Sequence, residues 1–277
     1  MKAVASALKV RATSAGALLR QWRDIRGKTQ LDLSFDAGVS QKHISFVESG
    51  RSVPSRQMLL DLAQALDVPR RERNELLLAA GYAPSYSDPP LDAPAMTSIN
   101  RALQRMLRQH EPFPAIVMDR YWNVLMTNEA APLLLNCFID MSARPTPRNL
   151  LHLMFDPDGM RPFIANWPQT ARGLLARVYR EAVGHVVDAR TRVLLEELSQ
   201  YPGVKPEWRA PSSADGMPMI PLTFVKDGVR LDYFSMITTV GTPQTVTAEE
   251  LRLECMFPVD EQTEAEHGRF VRAHSRP

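Results

Sequence analysis

Thr29-Gln-Leu-Asp-Leu-Ser-Phe-Asp-Ala-Gly-Val-Ser-Gln-Lys-His-Ile-Ser-Phe-Val-Glu-Ser-Gly50 is the stretch that decides the fold of the front of the chain. Thr29 followed three residues later by Asp32 is a Thr-x-x-Asp cap that starts a helix. The helix stops at Ala37-Gly38, where glycine supplies the positive φ of a sharp turn. Ser40 opens a second short helix that keeps Ile44 and Val47 one turn apart on an inward face, and Gly50 ends it.

Working outward, Ser14 caps a preceding helix whose apolar face is Leu18, Leu19, Trp22 and Ile25 and which stops at Gly27. Behind the central pair, Ser55 caps a fourth helix burying Leu59, Leu62, Ala63 and Leu66. Pro69 sits in the first turn of a fifth that closes at Gly81. Residues 14–82 therefore read as an all-α domain of five helices. Ala83-Pro-Ser-Tyr-Ser-Asp-Pro-Pro-Leu-Asp-Ala-Pro94 carries four prolines in twelve residues and cannot sustain a helix or a central strand, so 83–96 reads as a linker. At 277 residues, two domains are the natural expectation. Charge divides along the same boundary: residues 1–85 hold 13 Lys/Arg against 8 Asp/Glu, and residues 86–277 hold 20 against 23. A basic front and a slightly acidic rear suit a polyanion binder with a separate second function.

The helix opened by Ser40 turns Ser40, Gln41, Lys42, His43, Ser45 and Phe46 away from the core. Two short helices joined by a glycine turn form a helix-turn-helix, whose second helix enters the major groove. Gln suits adenine, Lys suits guanine, and Ser suits a base edge or a phosphate. The same surface also fits a solvated face of a protein-binding helical bundle. His43 reads either as a solvated side chain or as a base reader, and Phe46 either packs on the domain or touches a thymine methyl. Gln30, Leu33, Ala37, Gly38, Val39-Ser40, Ile44, Val47-Glu48, Gly50, Pro54 and Leu62-Ala63 together resemble the phage-repressor (XRE) family of helix-turn-helix domains. That resemblance implies a double-stranded DNA operator as partner. It assigns Gln30 to a phosphate, Ser40, Gln41 and Lys42 to bases or adjacent phosphates, and Ser45 and Phe46 to positions further along the groove. Arg51, Ser55 and Arg56 fall where the family's loop meets the DNA backbone, and Glu48 takes a structural role. Ser34 departs from the family's usual alanine but is small enough to keep the fold.

Beyond the linker, Ile99–Arg108 is an amphipathic helix, and Pro114–Asp119 and Trp122–Asn128 read as strands around a short turn. Helices are expected over Glu129–Phe138, Asn149–Phe155 and, as a long pair, Ile164–Tyr201. Three further strands follow: Leu222–Lys226, Val229–Thr239 and Leu251–Pro258, with Asp227-Gly228 a hairpin signal. About five strands with helices crowded between the second and third give an α+β domain, an antiparallel sheet backed by helices.

This order is that of a PAS-like sensor. His110-Glu-Pro-Phe-Pro-Ala-Ile-Val-Met-Asp-Arg-Tyr-Trp-Asn-Val124, Asn149-Leu-Leu-His-Leu-Met-Phe-Asp-Pro157, Asn166-Trp167, Leu195-Glu-Glu-Leu198 and Thr239-Val-Gly-Thr-Pro-Gln-Thr-Val246 resemble the ligand-binding domain of MmyB-like transcription regulators over residues 97–267. The resemblance implies a pocket for a small, largely apolar ligand, fatty-acid-like being one candidate. Phe155, Phe163, Trp167, Leu174, Tyr179, Phe234, Met236 and Met256 are candidate lining, or else plain core. His152 and Arg161 are candidate anchors for a carboxylate, or else satisfied structural residues.

No Gly-rich phosphate loop, HExxH, G-x-S-x-G or paired-cysteine motif occurs, so an enzyme is not expected and no cofactor is called for. Cys137 and Cys255 lie far apart and read as structural thiols rather than a disulfide or a zinc site. His185 and Asp188, spaced i, i+3 on a helix, lack a third metal partner, and Asp156-Pro-Asp-Gly159 reads as a turn rather than a calcium loop. Met1–Leu8 is too short and broken for a signal peptide, no apolar run approaches the ~20 residues of a membrane span, and the expected place is the cytoplasm. Residues 1–13 read as a disordered leader and 268–277 as a flexible tail. The function expected is a dimeric, sequence-specific transcription regulator modulated by a ligand in its rear domain. The alternative is a DNA-binding regulator whose rear domain serves only dimerisation or partner docking.

Overall fold

The computed structural model of the chain describes residues 14–183, 188–209, 219 and 222–274. The chain divides into two compact units between Ser87 and Asp88. No helix among the described residues is long and apolar enough to cross a membrane.

The first unit is five helices: α1 (Ala15–Ile25), α2 (Gln30–Ala37), α3 (Gln41–Glu48), α4 (Arg56–Ala65) and α5 (Arg70–Ala79). The capping chemistry is as the sequence dictates. Ser14, Ser40 and Ser55 each accept a backbone N–H from the first turn of the helix they open, and Thr29 and Asp32 form a reciprocal capping box. Gly38 ends α2 at φ 65°, the left-handed backbone that an L side chain strains to adopt. Leu19, Trp22, Leu33, Ile44, Val47, Leu62 and Leu66 make one buried core, while Ile25 lies outside it, exposed at the end of α1. Ser34 turns its hydroxyl back onto the carbonyl of Leu31, which explains why serine is accommodated there. α1 crosses α3 closely enough that a Cβ on Gly16 would lie 2.1 Å from the carbonyl oxygen of Val47.

The linker expected over 83–96 is shorter than its prolines suggest. Asn74 holds the backbone of Ser85 and Tyr86, and the Tyr86 ring lies beside Arg70 and Arg73, so these residues belong to the first unit. Met96 is already buried in the second.

The second unit carries α6 (Thr97–Gln109), β1 (Ala115–Met118), β2 (Val124–Thr127), α7 (Ala130–Asn136), α8 (Leu150–Phe155), α9 (Trp167–Val183), α10 (Ala189–Gln200), β3 (Leu222–Lys226), β4 (Val229–Thr238), α11 (Val246–Glu250), β5 (Arg252–Pro258) and α12 (Glu261–His274). Its five strands form one antiparallel sheet in the order β2-β1-β5-β4-β3, the α+β architecture read from the sequence. β1 is buried along its whole length because apolar residues cover both its faces. Ala115 and Val117 join the cluster of α6 and α11, whereas Ile116 and Met118 join the larger cluster under α7–α10. Asp227 and Gly228 both have positive φ, the backbone of a tight hairpin whose twist matches its strands.

Two elements differ from the sequence reading. α11 falls in a segment with no long apolar period, and α12 occupies residues read as the domain's end and a flexible tail. α12 is ordered because Phe270 and His267 pack into the core. Residues 275–277, the leader 1–13 and His185 lie outside the described residues. Asp188 caps α10 and pairs with Arg120, and no group of three or more metal-ligating side chains occurs among the described residues.

Candidate nucleic-acid interface and ligand cavity

α3 is fixed by its inward residues and leaves the remainder outside. Ile44 and Val47 are fully buried, while Ser40, Gln41 and Lys42 are exposed at the amino end of the helix. Ser40 spends its hydroxyl as acceptor for the His43 amide, which leaves its own O–H free to donate. Phe46 is half-buried, with Lys42 Nζ 5.7 Å and the Arg51 guanidinium 4.5 Å from its ring centre, so two cations gather about one aromatic ring. His43, half-buried, faces the Ser52 hydroxyl, and Ser45 is half-buried beside it. Arg51 and Arg56 are exposed, Arg51 donating to Ser49 and Arg56 to Ser85, while Ser55 serves as the cap of α4. Ser40, Gln41, Lys42 and Arg51 are thus all solvent-facing, and Lys42 and Arg51 meet at the Phe46 ring.

The helix-turn-helix is locked by a buried ion pair. Arg23 on α1 donates twice to the Glu48 carboxylate, at 2.7 and 3.0 Å, and Gln30 on α2 donates to the same carboxylate at 2.9 Å. The Glu48 side chain is 3% exposed, and its hydrogen bond raises the pKa of the Arg23 guanidinium further. One carboxylate therefore ties α1, α2 and α3 together, a fork geometry that fixes angle as well as distance. Gln30 thus spends one of its two amide N–H donors on Glu48.

In the second unit a cavity of about 340 Å³ lies between the sheet and α7, α8 and α9. Its wall is mostly apolar, including Ile116, Leu134, Leu151, Met154, Leu174 and Met256. A second cavity of about 280 Å³ shares Ile116, Leu135 and Leu150 with it. Four polar residues on the main wall are turned to protein partners. Arg177 donates to Glu254 at 3.2 Å, and its guanidinium lies 4.1 Å from the centre of the Trp122 ring. Thr170 donates to Asn166. Tyr233 sits 2.7 Å from His267 Nδ1, and His267 Nε2 sits 2.9 Å from the carbonyl of Pro112. Because a carbonyl can only accept, Nε2 carries the proton and the Tyr233 hydroxyl donates to Nδ1. Burial pushes the Tyr233 hydroxyl well above its ordinary range and the His267 imidazole below its own. Trp122 reaches the wall through a left-handed backbone at φ 68°, held by Asp119, whose carboxylate accepts the amides of Tyr121 and Asn123.

The family model described as the MmyB-like transcription regulator ligand binding domain matches residues 99–267, more than half of the chain. The chain belongs to this family. A helix-turn-helix domain matches residues 14–76. No curated protein matches the chain. This MmyB-like protein is a DNA-binding transcription regulator, with the helix-turn-helix domain in front of the ligand-binding domain.

Within that domain, Phe234 and Met256 lie on the cavity wall, together with Leu174. The other seven candidates lie elsewhere. Phe155 is fully buried with its ring nearly perpendicular to that of Trp167, and the Arg161 guanidinium lies 5.1 Å from the centre of the same indole. Phe163 packs on Phe138 beneath Lys226, and Tyr179 packs half-buried on the core. His152 bonds Tyr201 and Glu197, so it is a satisfied structural residue rather than an anchor in the cavity. Met236 is 59% exposed. Along β4, Tyr233, Phe234, Ser235 and Ile237 line the cavity, whereas Met236, which pairs with Cys255, does not. Sequence reading missed Arg177, Glu254, Trp122 and Tyr233. A charged residue at alternate positions of an otherwise apolar strand, as Glu254 is in β5, was the available signal.

Proposed function

We propose that this MmyB-like regulator binds a two-fold operator as a homodimer in the cytoplasm, and that a small, largely apolar molecule in the cavity modulates that binding. The half-sites then lie about one helical turn apart. Ser40, Gln41 and Lys42 read bases, Arg51 and Arg56 hold phosphates, and Phe46 keeps Lys42 and Arg51 in place. The observation that carries the ligand reading is the mostly apolar cavity on the sheet face of the family's ligand-binding domain. Its volume falls at the small end of the ~300–1,000 Å³ range of ligand sites. For a ligand to regulate, it must favour one arrangement of the protein over another.

Native mass spectrometry of freshly purified full chain tests the reading. The expected result is a co-purifying small molecule that is lost in Leu174→Trp, whose indole fills the cavity. A dimer that is empty in every preparation would favour a rear domain serving only dimerisation or partner docking.

A further inference from the structure

Three side chains form a wall shared by the two cavities. Ile116 on β1, Leu135 on α7 and Leu150 on α8 border both the main cavity of about 340 Å³ and the second of about 280 Å³. They are not equally movable. Ile116 is held by its strand, which pairs with β2 at Thr127 and with β5 at Glu254, and its branched Cβ restricts the first side-chain torsion. Leu150 is the first residue of α8, its amide donating to the Trp122 carbonyl at 2.9 Å beside the Asn149 cap. Leu135, on the short helix α7, is half-buried and unbranched at Cβ. Ser235 and Ile237, on the cavity wall in β4, are exposed, whereas β1 lies two strands away and is buried throughout. The end of the main cavity at the shared wall is therefore its inner end. Beyond that wall the second cavity is again mostly apolar, with Val124, Met141 and Leu153 on it, and its Arg148 donates to the Met141 carbonyl.

The geometry points to the wall at Leu135 as the inner stop that sets how long a hydrocarbon chain the main cavity accepts. This rests on the cavity being the ligand site, as proposed above. Taking water's share of liquid volume, roughly 30 Å³, as the space of one packed heavy atom, the main cavity holds about eleven non-hydrogen atoms. Among straight-chain alcohols 1-decanol reaches that size. A longer chain finds no further apolar room, because Leu135 and its two neighbours close the way. Cutting Leu135 back to alanine joins the cavities, so that the extra methylenes continue into the second instead of staying in water. Each methylene buried there is worth about fourfold in affinity. Leu135 is then a specificity-determining residue for ligand length.

Titration of the full chain with 1-hexanol, 1-octanol, 1-decanol and 1-dodecanol, read by tryptophan fluorescence because Trp122 lines the cavity, tests the inference. In the natural chain affinity should climb about fourfold per methylene as far as 1-decanol and then level off. In Leu135→Ala the climb should continue, 1-dodecanol gaining about tenfold or more over 1-decanol. If that variant does not fold, Leu150→Ala opens the same wall and gives the same readout. Leu153→Ala enlarges the second cavity alone and should leave the limit at 1-decanol. A climb that runs on through 1-dodecanol in the natural chain overturns the inference, as does a limit unmoved when the wall is opened or moved equally by Leu153→Ala. Failure of every alcohol to bind overturns it too. Leu174→Trp distinguishes the cavity from its inner stop. Alcohol binding that survives it refutes the cavity as the site. Binding lost in Leu174→Trp, with the limit unchanged in Leu135→Ala, refutes the length-setting role alone.

Discussion

Replacing Gly16 by alanine sets two opposing effects against each other, and the structure decides between them. In an exposed helix this change stabilises by about 1 kcal/mol, because glycine carries the larger conformational entropy cost. In α1 the new methyl would lie 2.1 Å from the Val47 carbonyl oxygen, 3.0 Å from its carbon and 3.2 Å from Glu48 Cα. All three are backbone atoms, so no side chain can rotate to make room. Restoring ordinary contact requires α1 and α3 to separate by about 1 Å, at the interface that buries Leu19 and Trp22. Overpacking of this kind costs typically about 1–3 kcal/mol, and a backbone obstacle argues for the upper end. Subtracting the propensity gain leaves a net loss of roughly 2 kcal/mol, a fall in Tm of about 8–16 °C for a domain this small. The shift also displaces α3, so affinity for a selected DNA site should fall. Hydrogen exchange of the α1 and α3 amides in the full chain, with DNA binding followed by fluorescence anisotropy, gives both numbers. A Gly16→Ala chain with unchanged or slower exchange would refute the close-packing argument.

Arg23→Leu leaves the Glu48 carboxylate buried without its main partner and should cost roughly 3–5 kcal/mol in denaturant melts, most of it recovered in the Arg23→Leu, Glu48→Leu double variant. In binding titrations against preferred and scrambled DNA, Gln41→Ala should reduce discrimination by ~1–3 kcal/mol. Arg51→Ala should weaken both alike and lower the salt slope by about one, provided it holds a phosphate. His267 is buried with its pKa lowered chiefly by desolvation, so its contribution to stability is complete above the unfolded histidine's value of about 6.5. That contribution is lost as pH falls from there through the lowered folded value, where the unfolded chain binds the proton first. Urea melts across this window should show the loss, and His267→Gln should flatten it.

The front domain was legible because each of its joints is written locally. Thr29 with Asp32, Gly38, Ser40 and Ser55 are caps and turns whose chemistry acts over three or four residues, and Ile44 and Val47 repeat at helical spacing. The strands were legible for the same reason, through Asp227-Gly228 and the apolar run of β1. The cavity was far less so. Its wall joins β1, β4 and β5 to α7, α8 and α9, and which face of β4 looks inward depends on pairing with a strand distant in sequence. A list of large apolar residues therefore took Phe155, Phe163 and Met236 together with Met256, though only the last borders the cavity. Arg177 and Glu254 escaped notice because a lone charge in a helix or strand reads as surface until its partner is known. α12 was missed because its polar positions outnumber Phe270 and His267, whose burial is set by tertiary packing.

Selection of binding sites from random duplex DNA, carried out side by side on the natural chain and a Ser40→Ala, Gln41→Ala, Lys42→Ala variant, tests the DNA-binding account most directly. The natural chain should enrich one two-fold site with half-sites about one helical turn apart, and the variant should lose that preference while keeping salt-dependent binding to duplex. Enrichment of the same site by both proteins would contradict the assignment of α3 as the helix that reads DNA.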